Sequence, residues 1–256
     1  MKIADAFKNR KAFISFITCG DPSLDATQRL LVEMERGGVD LIELGIPFSD
    51  PTAEGPVIQG ANIRALSGGV TTDKIFDMVR RVRPKLNVPL VFMTYANVVF
   101  SYGVERFAKT CAEIGISGII LPDVPFEEKH EFSDVFESFG VEFISLIAPT
   151  SEDRISLVAG EAKGFVYCVS SLGVTGTRST ITTDIGAMIE KVKEATDTPA
   201  AVGFGISTPE QAADIARFAD GIIIGSAIVK LIGKYGEEAD KPVYEFVKSV
   251  REALDK

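Results

Sequence analysis

The feature that most limits the fold of this 256-residue chain is a regular alternation of short apolar runs with longer amphipathic stretches. Such an alternation is typical of βα units. Most of the runs are apolar almost throughout, as strands of a parallel sheet are when both faces of the sheet are buried. The predicted strands are residues 12–18, 39–44, 88–95, 118–121, 142–147, 164–169, 200–202 and 221–224.

Helical periodicity fills the segments between these strands and adds three stretches outside the alternation. With no linker and no block of like charge, residues 1–256 are predicted to form one domain, a closed (β/α)8 or TIM barrel with extra N-terminal and loop helices. An open doubly wound sheet is the alternative, because periodicity does not distinguish a closed sheet from an open one. The predicted helices are 25–36, 72–83, 104–113, 126–139, 152–159, 183–195 and 209–216, with 2–9, 57–66 and 241–255 as the extra ones.

The charge balance excludes whole classes of partner. Lys and Arg total 27 against 36 for Asp and Glu, a net charge of -9, so no basic field exists to hold nucleic acid or an anionic membrane. Any phosphate must be held locally by backbone N–H groups. Cys19, Cys111 and Cys168 are far apart and lack CxxC spacing, which argues against a disulfide framework or a zinc site and fits a reducing cytoplasm. The sequence contains no pattern of a signal peptide or a membrane span.

In the second predicted strand, a carboxylate stands where an apolar residue is expected. Glu43 has the same parity as Val39 and Leu41 and lies near the C-terminal end of the strand, where barrel enzymes place their chemistry. Burial of an unpaired carboxylate raises its pKa, which suits a group that transfers protons near neutral pH. A Glu43 that is satisfied by backbone N–H groups or by a salt bridge is the alternative.

The connection after this strand, residues 45–56, contains three prolines and two glycines, which make it stiff enough to position side chains. This connection carries two carboxylates, Asp50 and Glu54, and the side chain of either can reach over the mouth of the barrel. Both are otherwise ordinary loop residues, and Asp50 before Pro51 is typical of an Asx turn.

Glycines follow the last two predicted strands, at Gly203, Gly205 and Gly225. Loops in these positions, next to a helix N-terminus, hold phosphate in many barrels because bare backbone lets N–H groups converge on the anion. A third glycine-bearing segment, residues 170–178, follows the sixth strand and is long enough to close over a ligand. Tight turns and a surface loop are the alternatives.

Other kinds of site are poorly supported. The single histidine, His130, lies on a charged stretch of a predicted helix, so neither a Ser/His triad nor a metal site is expected. Glycoside hydrolysis by Glu43 and Glu54 would leave the glycine loops unexplained.

A group of short segments carries a more specific signal: FITCGDP at 16–22, ELGIPFSDP at 43–51, GPVIQ at 55–59, YAN at 95–97, DVP at 123–125, GVTG at 173–176, GFGIS at 203–207 and GSAIV at 225–229. Over essentially its whole length the chain resembles the tryptophan synthase alpha subunit family. The resemblance implies a lyase that cleaves indole-3-glycerol phosphate to indole and glyceraldehyde 3-phosphate by retro-aldol chemistry, with no cofactor of its own. It also implies a separate beta subunit that carries pyridoxal phosphate, in an alpha2-beta2 heterotetramer.

The resemblance assigns roles to individual residues. Glu43 matches the family's catalytic acid/base, and Glu54 stands where the family usually has an Asp that faces the indole N–H. We therefore expect Glu43 to be desolvated and Glu54 to be polar and ionised. The substrate positions are Phe16, Ile58, Tyr95, Ile120, Tyr167, Thr175 and Phe204, and the phosphate positions are Gly176, Gly205, Gly225 and Ser226.

At three positions the sequence departs from the family pattern, and we expect these differences to affect the rate of catalysis rather than the fold. Glu54 replaces the usual Asp, Thr52 a usual Leu, and Ser171 a common Arg. An extra methylene can displace a carboxylate by about 1 Å, and such a misplacement can cost roughly a hundredfold in rate. Two other hypotheses follow: a weak barrel that mainly binds and activates the beta subunit, and a different phosphate-binding barrel such as a sugar-phosphate isomerase.

Overall fold

A parallel sheet forms the centre of the computed structural model, which describes residues 1–149, 152–169, 185–203 and 205–256. Each of the eight predicted strands is present, and the predicted bounds of the first and last match the structure. The fifth is divided into two short segments. The strands are β1 (Ala12–Thr18), β2 (Leu41–Gly45), β3 (Leu90–Met93), β4 (Gly118–Ile120), β5 (Glu142–Phe143), β6 (Leu146–Ile147), β7 (Val166–Val169), β8 (Ala200–Gly203) and β9 (Gly221–Ile224).

The order of the strands closes the sheet into a barrel. The order is β5-β4-β3-β2-β1-β9-β8-β7-β6, and the paired strands are parallel throughout. The two edges, β5 and β6, are separated along the chain only by Ile144 and Ser145. Ile144 N–H donates to the Ile119 carbonyl at 3.0 Å, and the Ser145 carbonyl accepts from Tyr167 N–H at 3.0 Å. One tilted strand thus pairs with β4 at its start and with β7 at its end, as barrel stagger requires. This closure excludes the doubly wound alternative.

Helices surround the sheet. Within the described residues, no helix is long and apolar enough to cross a membrane. The α-helices are α1 (Leu24–Gly37), α2 (Pro56–Ser67), α3 (Thr72–Val82), α4 (Ala96–Tyr102), α5 (Val104–Glu113), α6 (His130–Ser138), α7 (Glu152–Gly160), α8 (Ile185–Ala195), α9 (Pro209–Ala216), α10 (Ser226–Tyr235) and α11 (Asp240–Leu254). In the part of the chain that the structure describes, four 3-10 helices span Ile3–Phe7, Arg83–Lys85, Phe126–Glu128 and Gly236–Glu238.

Four helix predictions need correction, and one of them concerns α10, which is not among the predicted helices. The predicted helix 126–139 begins as a separate 3-10 turn before α6, and the predicted N-terminal helix is a 3-10 helix. Helix α4 is absent from the prediction because Val98, Val99 and Phe100 favour strands and show no helical periodicity. Its first N–H group, that of Ala96, donates to the Asp123 carboxylate at 3.1 Å, a tertiary contact that fixes where the helix begins.

Side-chain parity divides the core into two layers. Alternate strand residues such as Ile14 and Leu41 belong to the cluster inside the barrel, whereas Phe13 and Ile42 pack outward among the helices. Since successive strand side chains point to opposite faces, Glu43 shares the inward face with Leu41. The strand therefore directs a carboxyl group into an apolar interior.

Candidate active site

A small cavity lies at the C-terminal ends of the strands and gathers most of the predicted site residues. Its lining includes Phe16, Glu54, Ile58, Tyr95, Tyr167, Gly205, Gly225 and Ser226. These residues come from β1, β7, α2, the start of α10 and the connections after β2, β3, β8 and β9, so closure of the barrel is what brings them together. Ala53, Met93, Pro122, Ile206 and Ile223 also line the cavity, and none of these was predicted from the sequence.

The cavity measures about 50 Å³, and a second cavity of about 330 Å³ adjoins it at Ala53 and Pro122. Pockets for small organic ligands usually measure roughly 300–1,000 Å³. The adjoining cavity lies within this range, and Ala53 and Pro122 line both cavities.

Glu43 is wholly buried beside this cavity. Its exposed fraction is 0%, and within the described residues neither carboxylate oxygen has a hydrogen-bond partner. Burial raises the pKa of Glu43 from 4.5 to about 8, so the group holds its proton at neutral pH. The predicted desolvation is confirmed, and the alternative of a Glu43 satisfied by backbone or salt bridge finds no support among the described residues.

The neighbours of Glu43 show that its side chain lies next to the cavity. It is in register with Phe16 on β1 and Val91 on β3. Its charge also contributes to the raised pKa of Tyr167, so the two side chains are close. Phe16 and Tyr167 both line the cavity, which places the Glu43 carboxyl directly behind its wall. Ile120 belongs to the apolar cluster inside the barrel and, like Glu43, does not line the cavity.

Glu54 differs from the expectation of a fully ionised polar group. It is partly buried at the edge of the cavity, and burial raises its pKa from 4.5 to about 7. Two hydrogen bonds oppose that shift. Asn62 Nδ2 donates to Glu54 Oε2 at 2.6 Å, and the Tyr95 hydroxyl also bonds to the carboxylate. Glu54 is therefore divided between its charged and neutral forms near pH 7, and a small change in its surroundings shifts that balance.

Asn62 is a site residue that sequence reasoning missed. Within α2, the buried positions are Ile58, Ala61, Asn62 and Ala65, which have helical spacing. Asn62 is the one polar side chain in this stripe. A polar residue on the buried face of a predicted helix was the signal that could have identified it.

The glycine loops have the geometry of an anion site. Gly205 has a φ of 85°, in the left-handed region that favours glycine, and lines the cavity together with Gly225 and Ser226. Gly225 is the N-cap of α10, whose first turn carries no acidic side chain. The first N–H groups of a helix lack intrahelical acceptors, so this terminus can receive a phosphate.

Some predicted site residues are not among the residues that the structure describes, and two other polar side chains of the sequence analysis lie at the surface. Thr175, Gly176 and Phe204, together with the departure at Ser171, lie outside the described residues. His130 is exposed and pairs with Asp134 at 3.0 Å, as a surface residue does. Asp50 is also exposed and accepts a hydrogen bond from Ser49.

Comparison with known proteins shows which protein family the chain belongs to. The family model described as "Tryptophan synthase alpha chain" matches residues 3–255. The chain belongs to the tryptophan synthase alpha chain family. Its activity is accordingly the expected lyase reaction of tryptophan biosynthesis, the cleavage of indole-3-glycerol phosphate, and the hypothesis of a sugar-phosphate isomerase is excluded.

Individual relatives of the tryptophan synthase alpha chain family match over nearly their full lengths. The alpha chain of Lacticaseibacillus casei is 46% identical over 254 residues, covering 99% of this chain and 96% of the relative. A crystal structure of the Legionella pneumophila alpha chain has a TM-score of 0.90 at 35% identity, covering 100% of this chain and 98% of that one. A structure of the tryptophan synthase a2b2 complex of Pyrococcus furiosus matches with a TM-score of 0.85 at 31% identity, covering 95% and 98%.

Proposed function

We propose that Glu43 carries the proton in the cleavage of indole-3-glycerol phosphate. The observation that supports this role is a wholly buried carboxyl group with a pKa of about 8, placed behind the wall of the cavity. The protonated group gives its proton to indole C3, which makes the indole a leaving group. The bond from C3 to the glycerol carbon then breaks, and the carboxylate takes the proton of the neighbouring hydroxyl as that carbon becomes an aldehyde. Glu43 ends the cycle protonated, as it began.

Glu54 stabilises the charge that this step creates. Protonation at C3 leaves positive charge on the indole nitrogen, and an ionised carboxylate facing the N–H group lowers the energy of that state. The partly buried position of Glu54 at the cavity supports the role, since attraction between opposite charges is stronger where water is scarce.

The remaining predicted residues bind the substrate. Gly205, Gly225 and Ser226 receive the phosphate through backbone N–H groups, with Gly176 as a fourth contact. The apolar and aromatic positions hold the indole and the glycerol chain; they are Phe16, Ile58, Tyr95, Ile120, Tyr167, Thr175 and Phe204.

We further infer that residues 1–256 act as one barrel domain in the cytoplasm, without a cofactor of their own. The partner is a tryptophan synthase beta subunit that carries pyridoxal phosphate, in an alpha2-beta2 assembly. The solved a2b2 complex from Pyrococcus furiosus supports the partnership, because a chain of that complex matches this one over 95% of this chain's length.

Steady-state formation of indole from indole-3-glycerol phosphate tests the proposal, with the isolated chain and with added beta subunit. The parent should turn over, whereas Glu43→Gln should fold and yet be inactive, because an amide keeps the shape of the side chain but carries no transferable proton. Near-parental turnover by folded Glu43→Gln would exclude Glu43 as the proton carrier. If the parent itself turns over only marginally, but activates the beta subunit, the weak-barrel hypothesis holds instead.

A further inference from the structure

The buried face of α2 contains one polar side chain among apolar ones. Asn62 is 4% exposed, between Ile58 at 3%, Ala61 at 0% and Ala65 at 0%. Burying an amide costs free energy unless it forms hydrogen bonds. An apolar residue would fill this position of the stripe at lower cost, so Asn62 calls for an explanation other than packing.

The partner of Asn62 supplies that explanation. Its Nδ2 donates to Glu54 Oε2 at 2.6 Å. A second donor approaches the same carboxylate: the Tyr95 hydroxyl, which accepts from Ala53 N–H at 3.2 Å and so keeps its own proton for Glu54. Two donors, Asn62 on α2 and Tyr95 just before α4, thus hold the carboxylate of Glu54, whose own backbone lies in a loop.

We propose that Asn62 is a positioning residue for the cleavage reaction: its amide orients the Glu54 carboxylate in the cavity and stabilises the charged form. The inference rests on the proposed role of Glu54 at the indole N–H. Hydrogen bonds to a charged acceptor are stronger than those to a neutral one, so the Asn62 amide favours the ionised carboxylate over the carboxylic acid. It also restricts the longer side chain of Glu54 to one orientation, which a loop alone does not do.

Burial and hydrogen bonding have opposite effects on the pKa of Glu54, and their balance determines how that pKa changes when the Asn62 amide is removed. Burial raises the pKa of Glu54 to about 7, and Asn62 and Tyr95 each lower it. Among the described residues, the other titratable groups near the site include Tyr167, which lines the same cavity, Glu43 behind it, and Asp123, whose charge contributes to the raised pKa of Tyr95. Without the Asn62 donor, the pKa of Glu54 rises further, and less of the enzyme has an ionised Glu54 at pH 7.

The test is the pH profile of kcat/KM for indole-3-glycerol phosphate cleavage by Asn62→Leu and by the smaller Asn62→Ala. Both variants should fold, as checked by circular dichroism, because an apolar residue suits this stripe. We expect the acidic limb of the profile to move to higher pH by roughly one unit and kcat/KM at pH 7 to fall about fivefold, mainly in kcat. Raising the pH should recover part of the loss until Glu43 loses its proton.

Gln59→Leu is the matched control. Gln59 lies on the same helix and its Nε2 donates at 2.7 Å to Glu54, but to the backbone carbonyl rather than to the carboxylate. Its replacement should leave the acidic limb in place. An equal shift in Gln59→Leu would show that the loop, and not the carboxylate contact, is what matters, and would overturn the inference.

A double-mutant cycle separates this inference from the proposed function. In Glu54→Gln, residue 54 cannot ionise, so adding Asn62→Leu should change kcat/KM less than about threefold. If Glu54→Gln alone leaves kcat/KM unchanged, the proposed role of Glu54 fails. If Glu54→Gln reduces kcat/KM but Asn62→Leu leaves the acidic limb unmoved, only the role of Asn62 fails.

Discussion

Glu43→Gln should stabilise the folded chain at neutral pH while it removes activity. Glu43 is 0% exposed, and its folded-state pKa is raised by burial from 4.5 to about 8. Between these values the folded state holds a proton that the unfolded chain releases. The stability contribution of Glu43 is therefore complete below pH 4.5 and is lost as the pH rises towards about 8.

The size of the effect follows from the two pKa values. One pKa unit corresponds to about 1.4 kcal/mol, and integration from roughly pH 5 to pH 8 gives a loss of about 3 kcal/mol from the unfolding free energy of the parent. The amide side chain of the Glu43→Gln variant does not titrate. The stability of the variant relative to the parent should therefore increase by about 3 kcal/mol over the same interval.

Urea unfolding followed by circular dichroism, repeated at several pH values across this interval, measures the difference. Glu43→Met is the matched control, because two uncharged side chains at one position should give parallel curves that differ only by a constant packing offset. A stability difference between Glu43→Gln and the parent that does not change with pH would refute the reasoning, since it would mean that Glu43 titrates alike in the folded and unfolded states.

The remaining predictions concern turnover. Glu54→Gln should lose about a hundredfold in kcat/KM, roughly 2.7 kcal/mol, because the charge facing the developing cation is gone; an unaffected rate would remove Glu54 from the mechanism. Glu54→Asp should also lose activity, and Thr52→Leu should restore part of it if the two departures compensate each other; strict additivity of kcat/KM in that cycle would reject compensation. The parent's kcat/KM should peak between about pH 7 and pH 8, where Glu54 is ionised and Glu43 protonated; a profile that keeps rising beyond this range would contradict those roles. Gly205→Val should raise KM and weaken binding of glycerol 3-phosphate, because the side chain occupies the anion site and the φ of 85° suits glycine; unchanged binding by the folded variant would mean that the phosphate lies elsewhere.

The path of the chain was largely predictable because it depends on local patterns. Apolar runs without alternation identify strands that are buried on both faces, and 3.6-residue periodicity identifies the helices around them. The predicted bounds of β1 and α5 therefore match the structure. Helix α4 escaped prediction because its start depends on Asp123, which is distant in sequence and contributes nothing to the local pattern.

The site was predictable in part. Parity along β2 places Glu43 on the inward face from sequence alone, and glycines after the last strands indicate an anion site. Asn62, about two turns into α2, can also be identified from the sequence as a polar residue in a buried stripe. That this amide meets Glu54 is not readable, because the contact depends on how the loop folds back over the helix.

The sequence by itself determined which face of each strand and helix carries which side chain, because the two periodicities act over a few residues. Only the tertiary structure decided the states of the two carboxyl groups. Closure of the barrel removes Glu43 from water on every side, and the packing of α2 against the loop brings Asn62 to within 2.6 Å of Glu54. Desolvation and hydrogen bonding depend on atoms from distant parts of the chain, so the pKa values of about 8 and about 7 follow from the assembled barrel and not from any local stretch of residues.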